Sequence, residues 1–215
     1  MIVTSQKPLD EVLDFLSTYR TVLLAGCDGC TQPPRGIREA RTLGQILELA
    51  SRLRGKRLRV STTTVAKQCD SYLTLTSLEP QSKYVEAILS LACGLGVQTI
   101  ADVLPDIPVF PSQNTLFMGA EIREAAVLEE RCAACGDCIL EFTGGICPIA
   151  RCPKGLLNGP CGGSANGKCE VDPEKDCAWD LIIKRLEKLG RLYVLEEIRP
   201  PRNFWQLPRP GRVGE

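Results

Sequence analysis

Cys132-Ala-Ala-Cys135-Gly-Asp-Cys138 is a C-x2-C-x2-C run, the spacing with which bacterial ferredoxins present three thiolates to a [4Fe–4S] cluster. A ferredoxin repeat would place a fourth cysteine and a proline four positions later. Here the next such pairs are Cys147-Pro148 and Cys152-Pro153, so the run is not a ferredoxin repeat. Cys161, Cys169 and Cys177 follow and complete eight thiols between 132 and 177. Eight are enough for two four-cysteine sites, and spacing alone does not say which four share a site. Zinc also uses C-x2-C pairs to staple small modules. Three cysteines in one x2 run favour iron, with one zinc site in this region as the alternative.

Four more cysteines, Cys27, Cys30, Cys69 and Cys93, are spread over the first half of the chain. The sequence contains no histidine. That absence excludes Cys2His2 and Cys3His zinc sites, Rieske centres and any reaction needing an imidazole base. Clustered cysteines without a secretory signal point to bound metal and not to disulfides. The N-terminus MIVTSQKPLDEVLDFL lacks the basic start, apolar run and cleavage site of such a signal. No apolar run approaches the ~18–20 residues of a membrane span. The expected location is the cytoplasm. Lys plus Arg equals Asp plus Glu at 26 each, so no global positive field attracts nucleic acid or a membrane.

The elements that must position these thiols alternate in type. Residues 9–19 place Leu9, Val12, Leu13 and Leu16 at helical spacing, which predicts a helix opening the chain as a lid or docking element. Thr21–Gly26 reads as a buried strand ending on Cys27-Asp-Gly-Cys30. Ile37 to Leu53 follows as a helix with Ile37, Ala40, Leu43, Ile46, Leu47, Ala50 and Leu53 on one face and Gly55 beyond its end. Arg57–Thr64 is a second strand before Cys69, residues 71–84 are ambiguous, and Val85–Ala92 is a third strand closing on Cys93. Gly96–Leu104 forms the next helix, before a short strand near Val109. This order predicts an α/β fold: a small parallel-sheet, three-layer domain over residues 1–120. In such a sheet the C-terminal strand ends share one edge, where ligands sit. Cys27, Cys30, Cys69 and Cys93 would converge there.

Beyond residue 120 the periodicity fades. Residues 121–195 read as an irregular cysteine-rich module in which metal replaces the apolar core. It closes with a helix from Cys177 to Leu189 that carries Trp179, Ile182, Ile183, Leu186 and Leu189, is stopped at Gly190, and docks the module on its neighbour. Residues 196–215 form a proline-rich tail, either frayed or laid along a partner, with Phe204 and Trp205 favouring contact. Two other chemistries fit these motifs less well. Cys27-Asp-Gly-Cys30 could be a thioredoxin-like pair, but Pro33 and Pro34 separate it from the helix and Cys69 and Cys93 would stay unexplained. Cys93-Gly94-Leu95-Gly96 is only faintly like a dinucleotide loop, lacking the third glycine. Its glycines would instead let the backbone approach a cluster and leave N–H groups free for the cluster's sulfurs.

The strings GCDGC, QCD, LACGLGVQTIAD, CAACGDCILEFTGGICPIARCPKGLLNGPCGG and GKCEVDPEKDCAWDLIIKRLEKLG together resemble the MetV family. These are the small iron–sulfur subunits of methylenetetrahydrofolate reductases of acetogenic bacteria and their relatives. The resemblance runs over roughly residues 20–195. It implies two or three [4Fe–4S] clusters held by Cys27, Cys30, Cys69, Cys93, Cys132, Cys135, Cys138, Cys147, Cys152, Cys161, Cys169 and Cys177. It also implies a catalytic partner subunit, a barrel bearing FMN or FAD, which reduces the methylene group of the folate to methyl with electrons relayed through this chain. An upstream donor subunit would supply those electrons, within the acetyl-CoA pathway. No catalytic residue is expected on this chain.

Overall fold

The computed structural model describes residues 1–122 and 127–202. The chain divides into two compact units, Met1–Phe117 and Met118–Glu215. Among the described residues no helix is long and apolar enough to cross a membrane.

The first unit is built on a four-stranded parallel sheet. Strand β2 (Thr21–Cys27) lies between β4 (Arg59–Val65) and β5 (Ala87–Ser90), and β6 (Val109–Pro111) pairs with the outer side of β5. Because successive strand residues face opposite ways, β2 serves two cores. Val22 and Leu24 join Leu89 on one face, while Leu23 and Ala25 join Ile88 on the other. Helices α1 (Leu9–Phe15) and α2 (Ile37–Leu53) supply Val12, Leu13, Ala40 and Leu47 to the first core. Helices α3 (Ser71–Ser82) and α4 (Gly94–Val103) supply Leu78 and Ile100 to the second. The result is the three-layer α/β domain with its mixed elements, and the continuous apolar run of β2 follows from burial on both faces.

Several expectations change. The chain opens with a strand, β1 (Ile2–Gln6), paired in parallel with the two-residue β3 (Thr31–Gln32). Helix α1 is not a lid, since Val12, Leu13 and the following Leu16 are buried in the core. Helix α2 has its expected length but a different rotation. It turns Ala40, Gly44, Leu47 and Ser51 inward and leaves Ile46 and Leu53 43% and 91% exposed. The cause is close approach to β4: a Cβ on Gly44 would come within 3.1 Å of Thr62 Cγ2 and 3.3 Å of Val60 Cγ1. Glu48 fixes the same rotation by accepting the Val60 N–H at 2.9 Å. The ambiguous stretch after Cys69 is helix α3, started by Asp70, whose carboxylate accepts the Leu73 N–H at 3.1 Å.

The second unit is less irregular than its sequence suggests. Strand β7 (Gln113–Ile122) begins in the first unit, and its later residues pair antiparallel with β8 (Val127–Cys132). A short helix, α5 (Pro148–Arg151), starts at Cys147, and α6 (Ala178–Lys188) starts at Cys177. This unit has an apolar core of its own. Trp179, Ile182 and Leu186 of α6 are buried with Cys177 and pack on Ile146, Leu156, Val194 and Leu195. The apolar face of α6 is therefore filled by its own unit, because the loops fold back over it, and it is not the docking face that its periodicity suggests. Trp179 is 2% exposed and its indole N–H donates to the Leu156 carbonyl at 2.9 Å. Trp179→Phe removes that bond and some buried volume, so it is expected to cost about 1–2 kcal/mol, read as a lower urea midpoint by circular dichroism.

Candidate metal centres

The strand ends of the first unit gather thiols from three loops. Cys27 is the last residue of β2, Cys69 follows β4 by four positions, and Cys93 stands at the N-cap of α4 just past β5. Cys27 and Cys93 are buried, while Cys30 and Cys69 are exposed. Burial pushes the Cys27 thiol up, backbone hydrogen bonds from Gln68 and Gly29 oppose that, and the nearby Cys93 and Cys69 raise it further. Those are the thiols that act on Cys27; Cys30 lies farther along the same loop.

Gln68 organises this edge, and nothing in its sequence setting announces it. Its side chain is fully buried and its amide donates to the Ala25 and Gly26 carbonyls at 2.9 and 2.7 Å. Its carbonyl oxygen accepts the Ser90 hydroxyl at 2.7 Å. One residue therefore ties the ends of β2 and β5 together beside Cys69. The glycines of the Cys93 loop act differently from expectation. The Gly94 N–H is taken by Thr115 Oγ1 at 2.8 Å. Gly96 is small because a Cβ there would come within 2.6 Å of Ala92 Cβ and 2.8 Å of Gln68 Cβ. Gly96 thus serves packing within the protein, and the Gly94 amide is spent on a side chain of the protein itself. Backbones also meet at Gly26, where a Cβ would come within 2.7 Å of the Gly36 carbonyl oxygen. The Cys27 N–H donates to the Arg35 carbonyl at 2.7 Å.

A thioredoxin-like pair needs an exposed, acidified first cysteine at a helix start. Here the first cysteine, Cys27, is buried with its thiol raised, and helix α2 begins only at Ile37. The arrangement does not suit thiol exchange.

In the second unit the fold divides the eight cysteines. Cys152, Cys161, Cys169 and Cys177 line one small cavity, with Pro153, Pro160, Val171, Ala178 and Trp179 as apolar walls. The ion pair of Lys154 and Glu170 stands at the Cys161 thiol. The remaining four are Cys132 at the end of β8, Cys135, Cys138, and Cys147 at the start of α5. Helix α5 packs on β8, with the Arg151 guanidinium 3.8 Å from the Glu129 carboxylate. The tight path of this segment depends on left-handed backbone at Ala134, φ 49°, and at Gly136, φ 84°.

A strap from the chain's tail holds the Cys135 loop. Arg202 donates to the carbonyls of Cys135 and Asp137 at 3.3 and 3.2 Å and faces the Asp137 carboxylate at 3.8 Å. Upstream, Arg199 exchanges two backbone hydrogen bonds with the Asn158 side chain and lies over the Phe142 ring. So residues 199–202 are laid along their own unit; Phe204 and Trp205 fall outside the described residues. Burial alone would raise the Cys135 thiol, but backbone hydrogen bonding at Asp137 and the Arg202 guanidinium prevail and hold it below the ordinary cysteine range. In the metal-free chain Arg202→Gln is expected to move the onset of rapid Cys135 alkylation to higher pH, followed by iodoacetamide labelling and mass spectrometry. An unchanged pH profile would remove the strap's electrostatic role.

All twelve cysteines are free thiols. Among the described residues no three Cys, Asp or Glu side chains stand ready for one metal ion. Zn–S bonds of about 2.3 Å would require tetrahedral thiolates about 3.8 Å apart, and a cluster of several irons holds its thiolates farther apart than that. The donor chemistry suits such a group: sulfur gathered at one sheet edge, and sulfur with apolar walls in one cavity. Fold and thiols thus define an α/β domain with a cysteine edge, followed by a cysteine-rich module in which four of eight thiols line one cavity.

Residues 110–205 match the domain family described as Methylene-tetrahydrofolate reductase C terminal. The cysteine-rich part of the chain is similar to that family. No curated protein and no solved structure matches the chain.

Proposed function

We propose that this chain is the electron-transfer iron–sulfur subunit of a methylenetetrahydrofolate reductase complex. The observation that supports the reading is the gathering of Cys27, Cys69 and Cys93 at one sheet edge and of Cys152, Cys161, Cys169 and Cys177 around one cavity, in a chain without histidine, with the second group inside the segment similar to the reductase C-terminal family. Cys27, Cys30, Cys69 and Cys93 would hold one [4Fe–4S] cluster. Cys132, Cys135, Cys138 and Cys147 would hold the second, and Cys152, Cys161, Cys169 and Cys177 the third. Such clusters supply one-electron transfer at potentials set by burial, charge and hydrogen bonds to sulfur. The chain's part is to fix the thiolates: Gln68 braces the first set, Arg202 the second, and the apolar walls around Trp179 shield the third. The electrons would pass to the flavin of a separate catalytic subunit, where the folate is reduced.

The compact, walled set of Cys152, Cys161, Cys169 and Cys177 favours one further reading, a structural zinc there. In the extreme form of that reading all the metal is zinc and the chain is a scaffold in the same type of complex. Anaerobic purification with iron, zinc and acid-labile sulfide analysis decides among these. About twelve irons per chain is the expected value, eight with one zinc in the mixed case, at four irons per cluster. A colourless chain with stoichiometric zinc and no paramagnetic signal after dithionite would sink the electron-transfer reading.

A further inference from the structure

The outward face of helix α2 is left uncovered within its own unit. Ile46, Leu49 and Leu53 stand at i, i+3 and i+7 and are 43%, 59% and 91% exposed. This spacing makes one apolar stripe along the helix. Single exposed apolar residues are common, whereas a contiguous stripe marks a contact surface. Its flank is basic: Arg38, Arg41 and Arg52 are exposed on the adjoining side, and none forms an ion pair among the described residues.

The stripe runs into a second basic group. Residues 52–59 read RLRGKRLR, five cations without an acid. Arg54 is engaged by Asp10 and Asp14 on α1. Lys56, Arg57 and Arg59 instead line a broad open groove with Arg20, at the start of β2 and β4. Glu86 accepts the Arg20 and Thr21 N–H groups there, and Lys56, Arg57 and Arg59 form no ion pair among the described residues. The positive charge is therefore available to an outside partner.

We propose that this face docks an acidic amphipathic helix of a protein partner. Its apolar residues would pack on Ile46, Leu49 and Leu53, and its Asp and Glu residues would meet Arg38, Arg41, Arg52 and Arg57. The combination selects the occupant. A nucleic acid would satisfy the arginines but leave Leu53 in water, and a second copy would set arginine against arginine about a two-fold axis. Arginine beside an apolar anchor is the composition of strong protein contacts. The groove lies at the strand ends opposite the thiols: Arg59 pairs with Thr21, while Val65 pairs with Cys27. Six steps of about 3.3 Å put roughly 20 Å between those ends, so the groove end of the face lies away from the thiols, while Arg38 at the start of α2 stands at their end. The inference stands whether or not the thiols carry metal.

The test uses the full chain isolated anaerobically from its native source in its assembly. Phenylglyoxal modification read by mass spectrometry is expected to be slowed severalfold at Arg52 and Arg57 relative to the isolated chain. Leu49→Ser with Leu53→Ser, and separately Arg52→Glu with Arg57→Glu, are expected to weaken the assembly by roughly tenfold or more, with unchanged circular dichroism and metal content. The charge-reversed pair should also lose most of the salt dependence of association. Equal modification of both arginines in and out of the assembly overturns the proposal. So does a dimer of this chain dispersed by Leu53→Ser, or duplex DNA binding abolished by the arginine substitutions. A chain that sediments alone from its native source overturns it as well, while iron and sulfide analysis still judges the electron-transfer reading by itself.

Discussion

A chain carrying Cys27→Ser, Cys69→Ser and Cys93→Ser is expected to lose about four irons and a matching amount of acid-labile sulfide, and to keep the rest. The three thiols belong to one edge, where Cys93 and Cys69 act on Cys27, and they lie outside the unit that holds the other eight. Serine is close to cysteine in size, so the parallel sheet should persist and the far-ultraviolet circular dichroism should be unchanged. The complementary chain, with Cys152, Cys161, Cys169 and Cys177 changed to serine, should retain the first site. It should lose either four irons or one zinc, which identifies the metal of that set. If the edge substitutions left the iron content untouched, the first domain would have to be a carrier frame without a redox centre.

Gln68→Leu is expected to lower stability by about 2–4 kcal/mol. The substitution takes the side-chain donor from the Gly26 carbonyl and the acceptor from the Ser90 hydroxyl, both inside the sheet edge. The Ala25 carbonyl keeps a second partner, the Leu91 N–H at 2.9 Å, which limits the loss. Gln68→Glu should do no better, since a carboxyl buried against two carbonyls must stay protonated or repel them. Urea unfolding gives the energy. A second readout separates bracing from mere stability: at low denaturant the Cys27 thiol should react faster with a maleimide probe in Gln68→Leu than in the parent chain. Unfolding within about 0.5 kcal/mol of the parent would mean that the edge is held by the sheet ladder alone.

The first domain was legible because its signals are local and agree. The apolar run of β2, the helix over Ile37–Leu53 and the stop at Gly55, φ 72°, all follow from periodicity and turn chemistry. The placement of Cys27, Cys69 and Cys93 at strand ends follows from parallel topology alone. The rotation of α2 was hidden, because hydrophobicity favours burying Ile46 and Leu53, whereas the sheet admits only the narrow side at Ala40 and Gly44. Gln68 left no trace either: its role arises where one loop meets the ends of two strands, and a lone polar residue beside a cysteine reads as loop. The partition of Cys132 to Cys177 depends on where chain reversals fall. Ala134 takes left-handed backbone, which its residue type does not announce. The apolar core on α6 was missed for the opposite reason, since its lining at Ile146, Leu156 and Val194 is scattered over loops without any period.

The close approach of Gly26 to Gly36 sets how the cysteine loop opens. The Cys27 amide is sealed by the Arg35 carbonyl, and the Asp28 amide by the Val65 carbonyl at 3.0 Å. Freeing the first requires the turn that leads into α2 to lift from β2. These two amides should therefore exchange with deuterium only through the larger opening that unlocks the sheet, with protection near that of Leu23 and Leu24. A thiol edge whose backbone opens only with its domain offers its sulfurs in one fixed arrangement for as long as the protein stays folded.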